Sequence, residues 1–139
     1  IEIYGTDISP EALAIAQRGS YNKIEVNRGV PANYLKEFFH SEENNWAMND
    51  DLKKVVVFEP LNLCEEWPEL EKIDMIFLRN VLDHLTPERR KFILENVRRI
   101  IKPDGYLFLG SRETLEDSEG GFQMVPAEKS VYFQPTGGF

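Results

Sequence analysis

Cysteine is almost missing from this chain. Its single example, Cys64, rules out an internal disulfide and does not suggest a zinc site. Histidine is scarce too, with two in 139 residues, and no metal site is expected. No apolar run approaches membrane-spanning length and no signal-peptide pattern opens the chain, so direct membrane insertion is not expected. Positive charge is in deficit: 16 Lys and Arg face 24 Asp and Glu, a formal net charge of −8. That balance argues against nucleic acid held on a basic surface and against adsorption to anionic lipid. Internal repeats and low-complexity tracts are absent. A cytoplasmic location fits these features.

What is present suits one domain with a real core. Apolar residues make up 42% and include nine Phe, five Tyr and two Trp. The run Ile73-Asp-Met-Ile-Phe-Leu78 has the near-continuous apolar character of a strand covered on both faces, and it stops at Arg79 and Asn80. A first strand is expected at 1–7, with Ile1, Ile3 and Ile8 on its apolar side and Asp7 at its tip. Ser9-Pro10-Glu11 then starts a helix that Gly19 stops. The 21–39 stretch is less regular, with a turn at Arg28-Gly-Val-Pro31 and a short helix bringing Tyr34, Leu35, Phe38 and Phe39 inward. Residues 40–54 read as a polar surface excursion with room for one short strand, and His40 as a solvated helix end.

Val55-Val-Val-Phe58 is the next strand, ended by Glu59-Pro60, with Asn62 and Leu63 just beyond. Thr86-Pro87-Glu88 starts a helix reaching about Ile101 whose buried stripe holds Ile93, Val97, Ile100 and Ile101. Lys102-Pro-Asp-Gly105 reads as a turn, Tyr106–Gly110 as a buried strand and 111–121 as a loop. Phe122–Val125 and Ser130–Phe133 form an antiparallel hairpin, and 136–139 is expected to fray. The order implies an α/β fold: a mostly parallel sheet with helices on both sides and a reversed strand near one edge. Asp7, Asn62 and Arg79-Asn80 would then all lie at carboxyl ends of strands, where such sheets bind ligands. Each has a plainer role as well, Asp7 as an extra cap for the helix, Asn62 as the cap of a turn and Arg79-Asn80 as a strand cap.

Several blocks carry a family resemblance: Tyr-Gly-Thr-Asp7-Ile-Ser, Arg18-Gly-Ser-Tyr21, Asn27-Arg-Gly-Val-Pro31, Phe-Glu-Pro-Leu-Asn62-Leu63, Phe77-Leu-Arg79-Asn80-Val, Lys-Pro-Asp-Gly105-Tyr-Leu-Phe-Leu-Gly and Glu113-Thr. In this order they resemble the chemotaxis-receptor glutamate methyltransferases of the CheR type, over nearly the whole chain. The resemblance implies a Rossmann-like S-adenosylmethionine-dependent methyltransferase fold, S-adenosyl-L-methionine as methyl donor, and glutamates in the cytoplasmic region of a chemoreceptor as acceptors. It implies that Asp7 holds ribose hydroxyls, that Asn62 and Leu63 face the adenine, and that Arg79 and Asn80 line the cofactor and acceptor side. Arg79 and His84 are then the catalytic candidates. His84-Leu85 stands where the family usually has Tyr-Phe, and Arg112 where it usually has Ser.

By the same resemblance, residues 1–139 are expected to be part of a methyltransferase domain, N-terminally incomplete. The glycine-rich first strand-turn and the N-terminal helical domain have no counterpart in the sequence. The 139 residues alone are therefore expected to fold poorly or self-associate. Two alternatives stay open: a non-catalytic signalling module with the same fold, and a methyltransferase for another acceptor.

Overall fold

The computed structural model describes residues 1–116 and 119–137. The chain forms two units, Ile1–Asn62 and Leu63–Phe139.

In the first unit, β1 (Ile3–Asp7) leads into α1 (Pro10–Arg18). Ser9 caps the helix by accepting the Ala12 N–H on its hydroxyl oxygen at 3.2 Å, and Pro10 occupies the first turn, where its missing N–H costs nothing. Gly19 ends α1 in a left-handed conformation (φ 64°). After β2 (Ser20–Asn22), the short helix α2 (Lys23–Gly29) is started by a reciprocal pair. Asn22 Oδ1 accepts the N–H groups of Ile24 and Glu25, while Glu25 returns a carboxylate oxygen to the Asn22 N–H at 2.7 Å. The helix α3 (Ala32–Phe38), the strands β3 (Phe39–Glu42) and β4 (Asn45–Met48), the single turn α4 (Asp50–Lys53) and β5 (Val56–Pro60) complete the unit.

β1 and β5 run parallel, from Ile3 opposite Val56 to Asp7 opposite Pro60. Gly5 stands opposite Phe58 and leaves room for its ring, from which a Cβ on Gly5 would stand 2.6 Å. β2, β4 and β3 form a separate antiparallel sheet in that order. The polar 40–54 stretch is thus a hairpin and a helical turn rather than a surface excursion with one strand. Two small side chains anchor it, Val26 and Ala47, both buried. His40 sits on β3, not at a helix end, with its Nδ1 3.1 Å from Asn49 Oδ1. Tyr34 faces solvent, whereas Leu35 and Phe38 are half-buried. Ile1, Ile3 and Ile8 are exposed rather than inward.

The second unit holds β6 (Ile73–Leu78), a 3₁₀ turn at Leu82–His84, α5 (Pro87–Ile100), β7 (Ile101–Leu109), a 3₁₀ turn at Glu119–Gly121, and the hairpin of β8 (Phe122–Pro126) and β9 (Val131–Pro135). The strand order is β6-β7-β9-β8, with β6 and β7 parallel and the hairpin antiparallel, as the sequence implies. Ile93, Leu94 and Val97 of α5 are buried with Ile101, Leu107, Phe122 and Phe133. Each such side chain stabilises the fold by about 1.5–3 kcal/mol through lost apolar surface.

Three expectations are corrected here. β6 is not covered on both faces within its unit: Leu78 is buried, but Met75 and Phe77 are 53% and 69% exposed. Phe77 instead stacks on Phe108, with ring centroids 5.0 Å apart. The Lys102–Gly105 segment is not a turn between elements but a bulge inside β7, where two steps along β6 match five along β7. Lys102 closes it with an ion pair to Asp74 at 2.7 Å. Finally, the 111–121 segment is not a plain surface loop. Glu113 and Leu115 are buried, and Arg90 of α5 clasps Glu119. Asp117 and Ser118, within that segment, lie outside the described residues.

At the chain end Thr136 is not frayed: its N–H donates to Gly121 O at 2.8 Å, and Arg98 donates to its carbonyl. Gly138 and Phe139 lie outside the described residues. Among the described residues, no helix is long and apolar enough to cross a membrane.

Candidate active site

In each unit some of the candidate residues stand at the carboxyl end of a parallel strand: Asp7 on β1 in the first, Arg79 and Asn80 just after β6 in the second. In the first unit Asp7 is the last residue of β1 and is exposed. Its Oδ1 accepts the Ser9 N–H at 2.8 Å, which tucks the chain into the cap of α1. One carboxylate oxygen thus has a fixed local partner, and the group keeps capacity to accept bonds from vicinal hydroxyls. The Leu61 N–H donates to the Asp7 carbonyl at 3.1 Å, so the β5 exit runs beside the β1 tip. Asn62 follows directly and is half-buried.

In the second unit Leu63 is half-buried, and its carbonyl accepts the buried Trp67 indole N–H at 3.1 Å. Arg79 and Asn80 follow β6. Arg79 is exposed, and among the described residues its guanidinium has no hydrogen bond or ion pair. Asn80 takes a left-handed backbone (φ 59°), which asparagine tolerates better than most residues. His84 ends the 3₁₀ turn and is exposed.

A residue without an assigned role orders this corner. Glu113 is 5% exposed, and its carboxylate accepts four backbone N–H groups, each at 2.7 Å: Asn80 and Gly110 on Oε2, Val81 and Leu82 on Oε1. Burial pushes its pKa up, but the four N–H donors outweigh burial and hold it below the ordinary carboxylate value. Gly110 is required beside it, because a Cβ there would stand 2.7 Å from Glu113 Oε2 and 2.9 Å from the Asn80 nitrogen. In sequence, Glu113 stands in a block that carries the family resemblance, three residues after the glycine that ends an apolar strand, and neither signal assigns it a role.

Cavities add little. One of about 130 Å³ touches Thr6 and Asp7 and is otherwise walled by Gly5, Ala12, Leu13, Ala16 and Phe58. It is smaller than the ~300–1,000 Å³ of typical ligand pockets and lies between α1 and the strands, as a packing gap would. A larger one, about 370 Å³, runs along Gln17, Met48, Lys53 and Val57 and includes none of the candidate residues. Among the described residues no group of three His, Cys, Asp or Glu is placed to hold a metal ion.

Residues 1–131 match the family model described as "CheR methyltransferase, SAM binding domain". The chain belongs to the CheR methyltransferase family. This CheR-family chain is 33% identical over 135 residues to chemotaxis protein methyltransferase 1 of Pseudomonas aeruginosa, covering 96% of this chain and 49% of the relative. It is 32% identical to a chemotaxis protein methyltransferase of Vibrio anguillarum, with the same coverage. It therefore spans about half the length of the curated relatives it matches. Among solved structures it resembles one titled "A Pericyclic Reaction enzyme", with a TM-score of 0.56 at 11% identity, over 97% of this chain and 36% of that one. At that identity the likeness speaks for the fold alone, and it agrees with a Rossmann-like α/β architecture.

Proposed function

We propose that this CheR-family chain is part of a protein-glutamate O-methyltransferase that uses S-adenosyl-L-methionine to methylate glutamates in the cytoplasmic region of chemoreceptors, and that it works in the cytoplasm. The observation that carries the reading is the family match over residues 1–131, joined to polar tips at strand ends. The residues present suit the cofactor: Asp7 is an exposed carboxylate with hydrogen-bonding capacity for a ribose diol. Asn62 and Leu63 supply an amide and an apolar contact for adenine.

The bound cofactor supplies an electrophilic methyl group on a sulfonium. A glutamate acceptor is already ionised at neutral pH, so no general base is needed. The protein's work is alignment and removal of water from the carboxylate. Arg79, whose guanidinium has no other partner among the described residues, orients the acceptor by a charge-assisted bond. Asn80 lines the cofactor side, and His84 stands on the acceptor side.

We further propose that the methyltransferase domain extends beyond residues 1–139, with a glycine-rich strand-turn and a helical domain. Coverage of about half of each relative supports this. So do the strand edges: among the described residues β1 pairs only with β5, and β6 only with β7. Exposed Met75 and Phe77 on β6 favour self-association of the 139 residues in isolation.

The deciding experiment incubates the full-length protein with receptor-bearing membranes and methyl-tritiated S-adenosylmethionine. Base-labile label on receptor glutamates is the expected result. Cofactor binding without receptor labelling would reject the acceptor, and no binding of S-adenosylhomocysteine in calorimetry would reject the enzyme.

A further inference from the structure

We infer that Glu113 is the positioning residue of the candidate site, its carboxylate setting the backbone shape that presents Arg79 and Asn80. The inference rests on the methyltransferase reading above and adds a residue to it.

The chain after β6 must turn sharply. Asn80 is left-handed (φ 59°) and Val81 right-handed (φ −118°, ψ −45°). Successive residues of opposite hand point their N–H groups into one concavity, an arrangement that binds anions. Here the N–H groups of Asn80, Val81 and Leu82 converge, and the anion they receive is the Glu113 side chain. Gly110, at the end of β7, adds a fourth donor. One carboxylate thereby joins the exits of two parallel strands. Glu113 is itself held by its own N–H, which donates to Gly110 O at 3.0 Å.

Without that anion, the donors would face one another in a buried corner with no acceptor, and the turn would open to find water. Arg79 precedes the first donor and Asn80 is the first donor, so any such opening moves the two residues that the proposed site needs. No neutral side chain can replace the group. Glutamine has the same shape but one acceptor oxygen, and its NH₂ would confront two N–H donors.

The test uses the full-length protein and S-adenosylhomocysteine as probe. Calorimetry well below each melting temperature compares wild type, Glu113→Gln, Glu113→Asp and a core variant, Leu94→Ala, chosen to lose stability elsewhere. Amide hydrogen exchange is followed at Asn80, Val81 and Leu82. The expected outcome for Glu113→Gln is binding weakened roughly tenfold to a hundredfold, faster exchange at those three amides, and wild-type affinity in Leu94→Ala despite its lower melting temperature. Glu113→Asp, which keeps the charge but retracts it by one methylene, falls between. Wild-type affinity in folded Glu113→Gln overturns the inference. Should that variant not fold, wild-type affinity and exchange in Glu113→Asp overturn it equally. A wild-type protein that gives no heat would instead overturn the proposed function, with the exchange data still reporting whether Glu113 holds the turn.

Discussion

Arg90 and Glu119 meet in a two-point ion pair, with Nε 2.5 Å from Oε1 and a second nitrogen 3.0 Å from Oε2. The same guanidinium donates to the Thr114 carbonyl, and Glu119 accepts the Glu116 N–H at 3.0 Å. The segment after β7 is thus fastened to α5 at one end and, through Glu113, to the strand exits at the other. Both partners are mostly shielded, at 20% and 27% side-chain exposure, so the pair is worth more than an open surface bridge. Glu119→Ala should cost about 1–3 kcal/mol, since it strands a partly buried guanidinium. A urea titration of the full-length protein checks this; a midpoint equal to wild type would show the clasp to be energetically idle.

Acid should loosen this same segment. Burial raises the pKa of Glu119, but its bond to Arg90 outweighs that and holds it below 4.5; the N–H donors do the same for Glu113. A carboxyl whose folded pKa is depressed contributes stability above its ordinary value and loses it as pH falls through the lower folded value. Melting temperature should therefore drop below about pH 4.5, each differential proton adding up to about 1.4 kcal/mol per pH unit. Glu113→Gln should flatten that acid limb, and an unchanged slope would count against the assigned protonation.

Asp7 has two tasks that separate in a mutant. Asp7→Ala removes the acceptor for the Ser9 N–H, a loss of about 0.5–1 kcal/mol of stability. It should also weaken S-adenosylhomocysteine binding about tenfold, the worth of a charged hydrogen bond, while turnover at saturating cofactor changes less. Calorimetry on the full-length variant decides, and an unaltered dissociation constant would place the ribose elsewhere.

Arg79→Ala should leave stability within about 0.5 kcal/mol, because the exposed guanidinium holds nothing among the described residues. Turnover should fall roughly a hundredfold through lost acceptor alignment. Paired melting curves and methyl-transfer rates separate the two effects; equal rates would release Arg79 from its proposed role.

Much of this was readable from letters. Ser9-Pro10-Glu11 and Thr86-Pro87-Glu88 start helices where their caps say, because capping is chemistry within three residues. The α5 stripe and the terminal hairpin follow from local periodicity. The Asn22–Glu25 capping box was equally local, and it is the reason residues 23–29 are helical rather than irregular. The β6 run misled for a different reason. An apolar run reports a preference for burial, while the partner that covers each face comes from other segments, and Phe77 stays exposed although its ring stacks on Phe108.

The sequence by itself determined the starts of α1 and α5, the strands β1, β5 and β6, the terminal hairpin, the residues at the strand tips, and family membership, since each is written in short contiguous patterns. Tertiary structure alone decided what Glu113 does. Its donors Asn80, Val81 and Leu82 lie 33, 32 and 31 residues away. A carboxylate becomes the keystone of a turn only once parallel pairing has brought the ends of β6 and β7 side by side, and hydrogen-bond reach, unlike capping, is blind to distance along the chain.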